Sequence, residues 1–447
     1  MLYILFLIEI LLIFIFFILF GKNIITPSLL ALLMFTTSTL VAILNIAKWK
    51  INISEKTVLI SITSFATLCL GELYSRIIFI GNHKPQNNNR KVNDDSIPIL
   101  VKNNVVLIIS LFALLVIIYY YKETVKLAER AGFKSGAGML LLAYAREASL
   151  DEGASIEGMS GLSILLSLIV KSIAYIFAYI FLHNKIKCQK QGNFLLLLPV
   201  VLYIPLIVLS AGRTQFIYLI AFCFIIGITF FMQKKNWNPV YVYKILLIGF
   251  LAIAIFLVIF TASGSLKAKS SRLSPLDTIS IYAGLSIPSL DKYLTTDYIK
   301  FQNNYFGEHT LFGIYAILSK FDKTIPHFSK PYEFSSFNGY GGNVYTAIRR
   351  YYQDYGYFGL YFMMFFLGFL YSYIFLKNRN KIKSLAYILY CSMLSPIIEI
   401  SIEERFFLSL INLSNLKFIF FIILFYFIFI EQKKFKNLLC LIFRSSQ

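Results

Sequence analysis

An all-α polytopic membrane protein is the fold class this sequence predicts, and three observations carry it. Of 447 residues, 58% are hydrophobic and 14% charged, with a mean hydropathy of +0.71; soluble domains are about 45–50% apolar and about 25% charged. Apolar runs of membrane-crossing length, about 18–25 residues, recur along the chain. Lys and Arg gather in the short segments between those runs, as in "KWKINISEK" (48–56), "HNKIKCQKQ" (183–191) and "KNRNKIKS" (377–384). The formal charge of +20 therefore reads as topology, and no nucleic-acid partner is expected.

Eleven spans are clear: 2–20, 27–47, 57–80, 104–121, 161–182, 194–211, 214–232, 244–262, 355–376, 383–398 and 416–430. The first lacks a basic leading region and a small-residue cleavage site, so it reads as a retained span. With the N-terminus outside, the outer segments 48–56 and 122–160 carry eight Lys/Arg, whereas the inner 21–26 and 82–103 carry five. That inverts the positive-inside rule. One further crossing within "SGAGMLLLAYAREASL" (135–150), short and bearing Arg146 and Glu147, restores the rule. The count becomes about twelve and the N-terminus lies inside.

Both schemes leave 263–354 as one large outward segment between the N-terminal spans, 1–262, and the C-terminal spans and tail, 355–447. A connection of that length is commonly functional. "SPLDTISIYAGLSI" opens with a helix-start signal, and Leu311, Phe312, Tyr315 and Leu318 fall at amphipathic spacing. Asn343 offers an N-cap for a helix that follows. The segment reads as a small helical cap on the membrane.

Cys69, Cys188, Cys223, Cys391 and Cys440 lie in or beside apolar runs, which suggests neither a disulfide framework nor a metal centre. The sequence contains no P-loop, dinucleotide fingerprint, HExxH or nucleophile elbow. No cofactor or metal is expected, and the cytoplasmic connections are too short for a soluble catalytic domain. A substrate would have to be membrane-borne and react at the outer face.

Five constellations carry the candidate chemistry. In "SAGRTQF" (210–216) Arg213 stands at a membrane boundary, either as an anchor reaching for headgroups or as a planar donor fork for phosphate. In "GGNVYTAIRRYYQDYGYFG" (341–359), Arg349 and Arg350 point about 100° apart on a helix, so one is expected to face a cavity and the other a headgroup. Asp354 is near enough to orient a guanidinium. Glu308 and His309 fall on the polar side of the amphipathic helix, and His exchanges protons near neutral pH. Glu72 and Arg76, spaced i, i+4, are either functional or a self-neutralising pair. "IEISIEERF" (398–406) reads as a carboxylate-rich turn for sugar hydroxyls or for solvent.

At "SAGRTQFIYLI" (210–220), "FGEHTLFGIYAILSKF" (306–321) and "GNVYTAIRRYYQDYGYFG" (342–359) the chain resembles bacterial oligosaccharide repeat-unit polymerases, the Wzy-type enzymes of O-antigen and capsule synthesis. That family is similar in architecture to the O-antigen ligases, a GT-C-like arrangement with about a dozen spans and a large periplasmic loop. The resemblance implies an inner-membrane glycosyltransferase of lipopolysaccharide synthesis. Such an enzyme moves a growing glycan from undecaprenyl pyrophosphate onto a lipid-linked repeat unit, alongside a flippase and a chain-length regulator. It implies pyrophosphate contacts from Arg213 and one of Arg349 or Arg350, with Arg272 in support. His309 becomes the first candidate base, with Glu308 and Asp354 as rivals. Glu308, Tyr345 and Tyr352 become glycan contacts. An O-antigen ligase shares the donor, and a lipid-linked oligosaccharide flippase is the alternative from another class.

Overall fold

The structure, a computed structural model, describes residues 1–82 (save 22 and 24), 97–130, 159–188, 193–210, 213–245, 274–296, 305–326, 334–381 and 383–432, with isolated positions at 132, 141, 145, 247 and 249. Among them seven helices are long and apolar enough to cross a membrane, as expected of an all-α membrane protein. They are Leu2–Leu19, Pro27–Leu44, Glu55–Asn82, Asn103–Arg130, Gly161–Leu182, Arg213–Lys234 and Ala347–Asn378. Three shorter apolar stretches, Phe194–Leu209, Leu385–Ile398 and Leu413–Phe429, match other expected spans. Most of the span expected at 244–262 and of the crossing at 135–150 lies outside the described residues.

The chain divides into two compact units: 1–86 with 276–381 and 393–416, and 87–275 with 382–392 and 417–447. In the first unit the helices Glu55–Asn82 and Ala347–Asn378 pack side by side. A Cβ on Gly71 would lie 2.1 Å from the Phe365 carbonyl oxygen, and one on Gly368 would lie 1.9 Å from that of Leu68. Without side chains at those two positions the backbones approach closely, the means by which helices associate where no hydrophobic effect separates them from lipid. Thr63 donates to the Tyr361 hydroxyl at 2.9 Å, and the rings of Tyr74 and Phe369 are 5.8 Å apart. Residue numbers rise together along both helices, so the two run parallel.

The twelve-crossing scheme expects these two spans to run oppositely, whereas the two helices lie parallel. At their starting ends Lys48 pairs with Asp277, and Asn338 donates to the Lys48 carbonyl at 2.9 Å. Ser54 and Thr57 donate to Asp291 at 2.7 Å, and Lys56 donates to the Leu294 carbonyl at 3.1 Å. Residues 48–57 therefore lie against the large segment. Charge counting treats Lys48 and Lys56 as cytoplasmic anchors; in the fold they are tertiary partners of the segment they touch.

The large segment is partly helical, as its sequence predicts. Pro275–Gly284 follows the Ser-Pro signal, Ser286–Thr295 comes next, and Phe312–Leu318 holds the amphipathic stretch. A two-stranded hairpin, Ser335–Phe337 with Tyr340–Gly342, departs from the all-helical expectation. Its Asn338-Gly339 turn has both φ values positive, 48° and 83°, the pattern that matches strand twist in tight hairpins.

The expected boundary at 354/355 falls inside one helix. Ala347–Asn378 starts after Thr346, whose side chain makes no cap bond, rather than after Asn343, and is broken at Gly356 (φ 63°, ψ −160°), a backbone conformation that glycine adopts without strain. The break separates a short arm bearing Arg349, Arg350 and Asp354 from the apolar stretch beyond it. Backbone bonds from Tyr345 N–H to the Ile402 carbonyl (2.9 Å) and from Ala347 N–H to that of Ile400 (3.0 Å) fasten the arm to the 399–405 turn.

In the second unit, ring pairs Tyr175–Phe222 (4.6 Å), Tyr179–Phe230 (5.8 Å), Tyr175–Phe418 (5.4 Å) and Phe177–Phe429 (5.3 Å) align Gly161–Leu182, Arg213–Lys234 and Leu413–Phe429 in parallel.

Candidate functional site: a buried arginine pair under the large segment

Arg349 and Arg350 open the kinked helix, and both are buried, at 0% and 6% exposure. The expectation that one of them meets a lipid headgroup is thereby corrected. The helix start is sunk between the 399–405 turn and the segment above it, so both faces of the arm meet protein. The Arg349 guanidinium lies between two rings, its central carbon 3.9 Å from the centroid of Tyr345 and 4.6 Å from that of Tyr293. Stacking covers the faces of a guanidinium, whereas its N–H groups donate in the plane. Arg350 feels Glu403 most, then Asp354 and Glu404. Two neighbouring cations are thus balanced by carboxylates on one side and by π-clouds on the other.

His309 is beside this pair. It is 7% exposed and stands in the turn before Phe312–Leu318, not on the helix's polar side as its spacing suggested. Burial, with Arg350 and Arg349 adding repulsion, pushes its imidazole down to about 4. The ring is neutral at physiological pH and able to accept a proton. Asp354 accepts the backbone N–H of His309 at 3.3 Å and that of Thr310. The Thr310 hydroxyl donates to the Arg350 carbonyl at 3.4 Å. Asp354 therefore holds the turn that carries His309 and also lies beside a guanidinium, that of Arg350.

Glu308 is half-buried in the same turn. Tyr345 and Tyr352 are half-buried; Tyr352 packs edge-on to Tyr357 at 4.9 Å. Burial raises the Tyr345 phenol above its usual range, against a bond with Ser335 and the field of Arg350. Arg272 and the side chain of Arg213 lie outside the described residues.

In the carboxylate-rich turn Glu399 and Glu404 are 2% and 1% exposed, so these two are not solvated, whereas Glu403 is half-buried. Glu404 accepts the N–H groups of Phe406, Phe407 and Leu408 at 2.7, 2.9 and 2.8 Å and the Tyr351 hydroxyl at 3.0 Å. Burial raises its carboxyl even so, with those bonds pulling the other way. Arg405 bridges Glu399 (2.6 Å) and Glu403 (2.9 Å). Glu403, Glu404 and Tyr293 are the site residues that sequence reasoning missed. "EERF" marked the turn but not its direction, and Tyr293 has no signal beyond its position in a short amphipathic helix.

Glu72 and Arg76 form the expected pair at 2.7 Å. Glu72 also accepts the Ser28 N–H at 3.1 Å, and Arg76 donates to the Phe20 carbonyl at 3.3 Å. This pair ties the 20–28 turn to the later half of Glu55–Asn82, away from the arginine site.

Compared with known proteins, the chain matches no family model, no curated protein and no solved structure.

Proposed function

We propose that the chain is a glycosyltransferase of the oligosaccharide repeat-unit polymerase class, with arginines doing what a metal does in other transferases. On this reading it works in the bacterial inner membrane with the large segment in the periplasm, which with eleven crossings puts the N-terminus on that side too. The observation that supports the reading most is the burial of Arg349 and Arg350 together, with the neutral His309 beside them, at the segment-bearing end of a membrane-crossing unit.

The donor is a glycan on undecaprenyl pyrophosphate and the acceptor is a hydroxyl on the terminal sugar of a lipid-linked repeat unit. The bond from the anomeric carbon to the pyrophosphate oxygen breaks, and the pair of electrons leaves with the pyrophosphate. Guanidiniums suit that leaving group because they are planar, permanently charged and already desolvated, so their field on the developing charge is strong. The acceptor oxygen forms the new glycosidic bond and passes its proton to the His309 imidazole. Asp354 positions His309 through the turn amides, and Tyr345, Tyr352 and Glu308 supply sugar-facing surface.

The test is the glycan banding of a strain lacking the gene, complemented with variants. Loss limited to one capped repeat unit supports a polymerase. Uncapped core with polymer accumulating on the carrier indicates a ligase instead, and repeat units trapped in the cytoplasm indicate a flippase. Arg350→Ala and Arg213→Ala proteins that insert normally should leave at most one repeat unit; long chains from both would sink the phosphate role.

A further inference from the structure

The second unit contains a cation that the proposed reaction does not use. Lys171 stands midway along Gly161–Leu182 and is 9% exposed. Its ammonium sits over the Phe418 ring at 4.4 Å and the Tyr175 ring at 5.9 Å. Among the described residues no carboxylate and no hydrogen-bond acceptor reaches it. One turn further on, the Tyr175 hydroxyl is buried and has no hydrogen-bond partner among those residues. The titratable groups whose charge acts on that hydroxyl are Tyr203, Cys223 and Tyr218, none of which is anionic at neutral pH.

A largely buried ammonium with no counter-charge among the described residues is costly, and ionisable groups inside a span are retained where they meet a partner. The two rings cover part of the ammonium, but its three donors call for an acceptor. The position tells where that acceptor comes from. Lys171 is ten residues beyond Gly161, about 15 Å along the axis, and its side chain leans back toward the helix start. Phe418, which it touches, is about 7.5 Å beyond Leu413 on the parallel helix. The ammonium therefore lies roughly 10 Å below the ends of these helices. Leu162 and Ile164, nearer that end, are 55% and 39% exposed, so an apolar surface is open there to lipid chains.

We propose that Lys171 and Tyr175 hold the phosphate of an anionic lipid drawn below the membrane boundary, on the side where Gly161–Leu182 and Leu413–Phe429 begin. The inference stands apart from the proposed reaction, because a membrane phospholipid and a polyprenyl phosphate carry the same group.

The experiment uses the full chain purified in zwitterionic nanodiscs, with lipid retention read by native mass spectrometry. Phosphatidylglycerol, a polyprenyl phosphate, phosphatidylcholine and inorganic phosphate are supplied in separate arms. Wild type should retain one or both of the anionic lipids about tenfold better than phosphatidylcholine. Lys171→Met, similar in length but uncharged, should lose that preference, and Lys171→Arg should keep it. Tyr175→Phe should weaken it several-fold. The anionic arm that is retained identifies the source. Lys171→Met is expected to fold at least as well as wild type, since it removes an unpaired buried charge. Should it fail to fold, Tyr175→Phe decides alone. Equal preference in wild type and these variants overturns the proposal, as does inorganic phosphate competing as well as the lipids.

Discussion

Asp354→Asn separates two ways in which this carboxylate can matter. Its oxygens accept the amides of His309, at 3.3 Å, and Thr310, and a bond to a charged acceptor contributes roughly 1.5–3 kcal/mol. Asparagine keeps one carbonyl oxygen but turns an amino group toward the second amide. One bond thus falls to neutral strength and the other is lost. The turn carrying His309 should lose about 2–3 kcal/mol of local stability, or about 30- to 150-fold in its opening equilibrium. Hydrogen exchange followed by mass spectrometry on peptides covering 305–311 reads that change directly. Exchange there should quicken by about 30-fold or more, and chain extension should fall with it, while peptides from Glu55–Asn82 stay protected. Lost extension with unchanged exchange would refute the reasoning, since Asp354 would then act on substrate and not through the turn.

Four other outcomes follow from the same geometry. His309 holds its proton less tightly in the folded chain, at about 4, than in the unfolded chain at about 6.5. Its contribution to stability is therefore complete above about pH 6.5 and declines as pH falls toward 4; the acid limb of activity should lie near 4, and a limb at 6.5 would contradict its burial. His309→Gln should slow extension by about 10²- to 10⁴-fold without changing insertion. Arg350→Lys should restore only part of the activity lost in Arg350→Ala, because lysine lacks the two-pronged donor edge; full rescue in a chain-length assay would mean that charge alone suffices. Gly368→Ala places a Cβ 1.9 Å from the Leu68 carbonyl oxygen and should destabilise the first unit by about 1–3 kcal/mol, seen as a lower thermal midpoint in detergent; an unchanged midpoint would argue against the close helix crossing.

Much of this protein is determined by its sequence alone. Apolar runs of the right length can satisfy their backbone in lipid only as helices, so Leu2–Leu19, Gly161–Leu182 and the stretch after Gly356 are legible before any fold is known. The Ser-Pro helix start at 274–275 and the spacing around Phe312 are local signals, and they hold. The arginine pair is legible as an oddity because two charges beside an apolar run need a reason.

What tertiary structure decided is everything that depends on which residues meet across the chain. Lys48 looks like a cytoplasmic anchor until Asp277, far away in sequence, takes it, and only the contacts between Glu55–Asn82 and Ala347–Asn378 show that these two helices are parallel. Arg349 and Arg350 diverge along one helix, but tertiary packing buries both, one between Tyr345 and Tyr293 and the other among Glu403, Asp354 and Glu404. Glu404 looks solvated in "IEERF", yet it caps a turn whose N–H groups have nowhere else to go. Helix period and span length are properties of neighbours in sequence; burial and charge balance belong to neighbours in space, which a single sequence does not order.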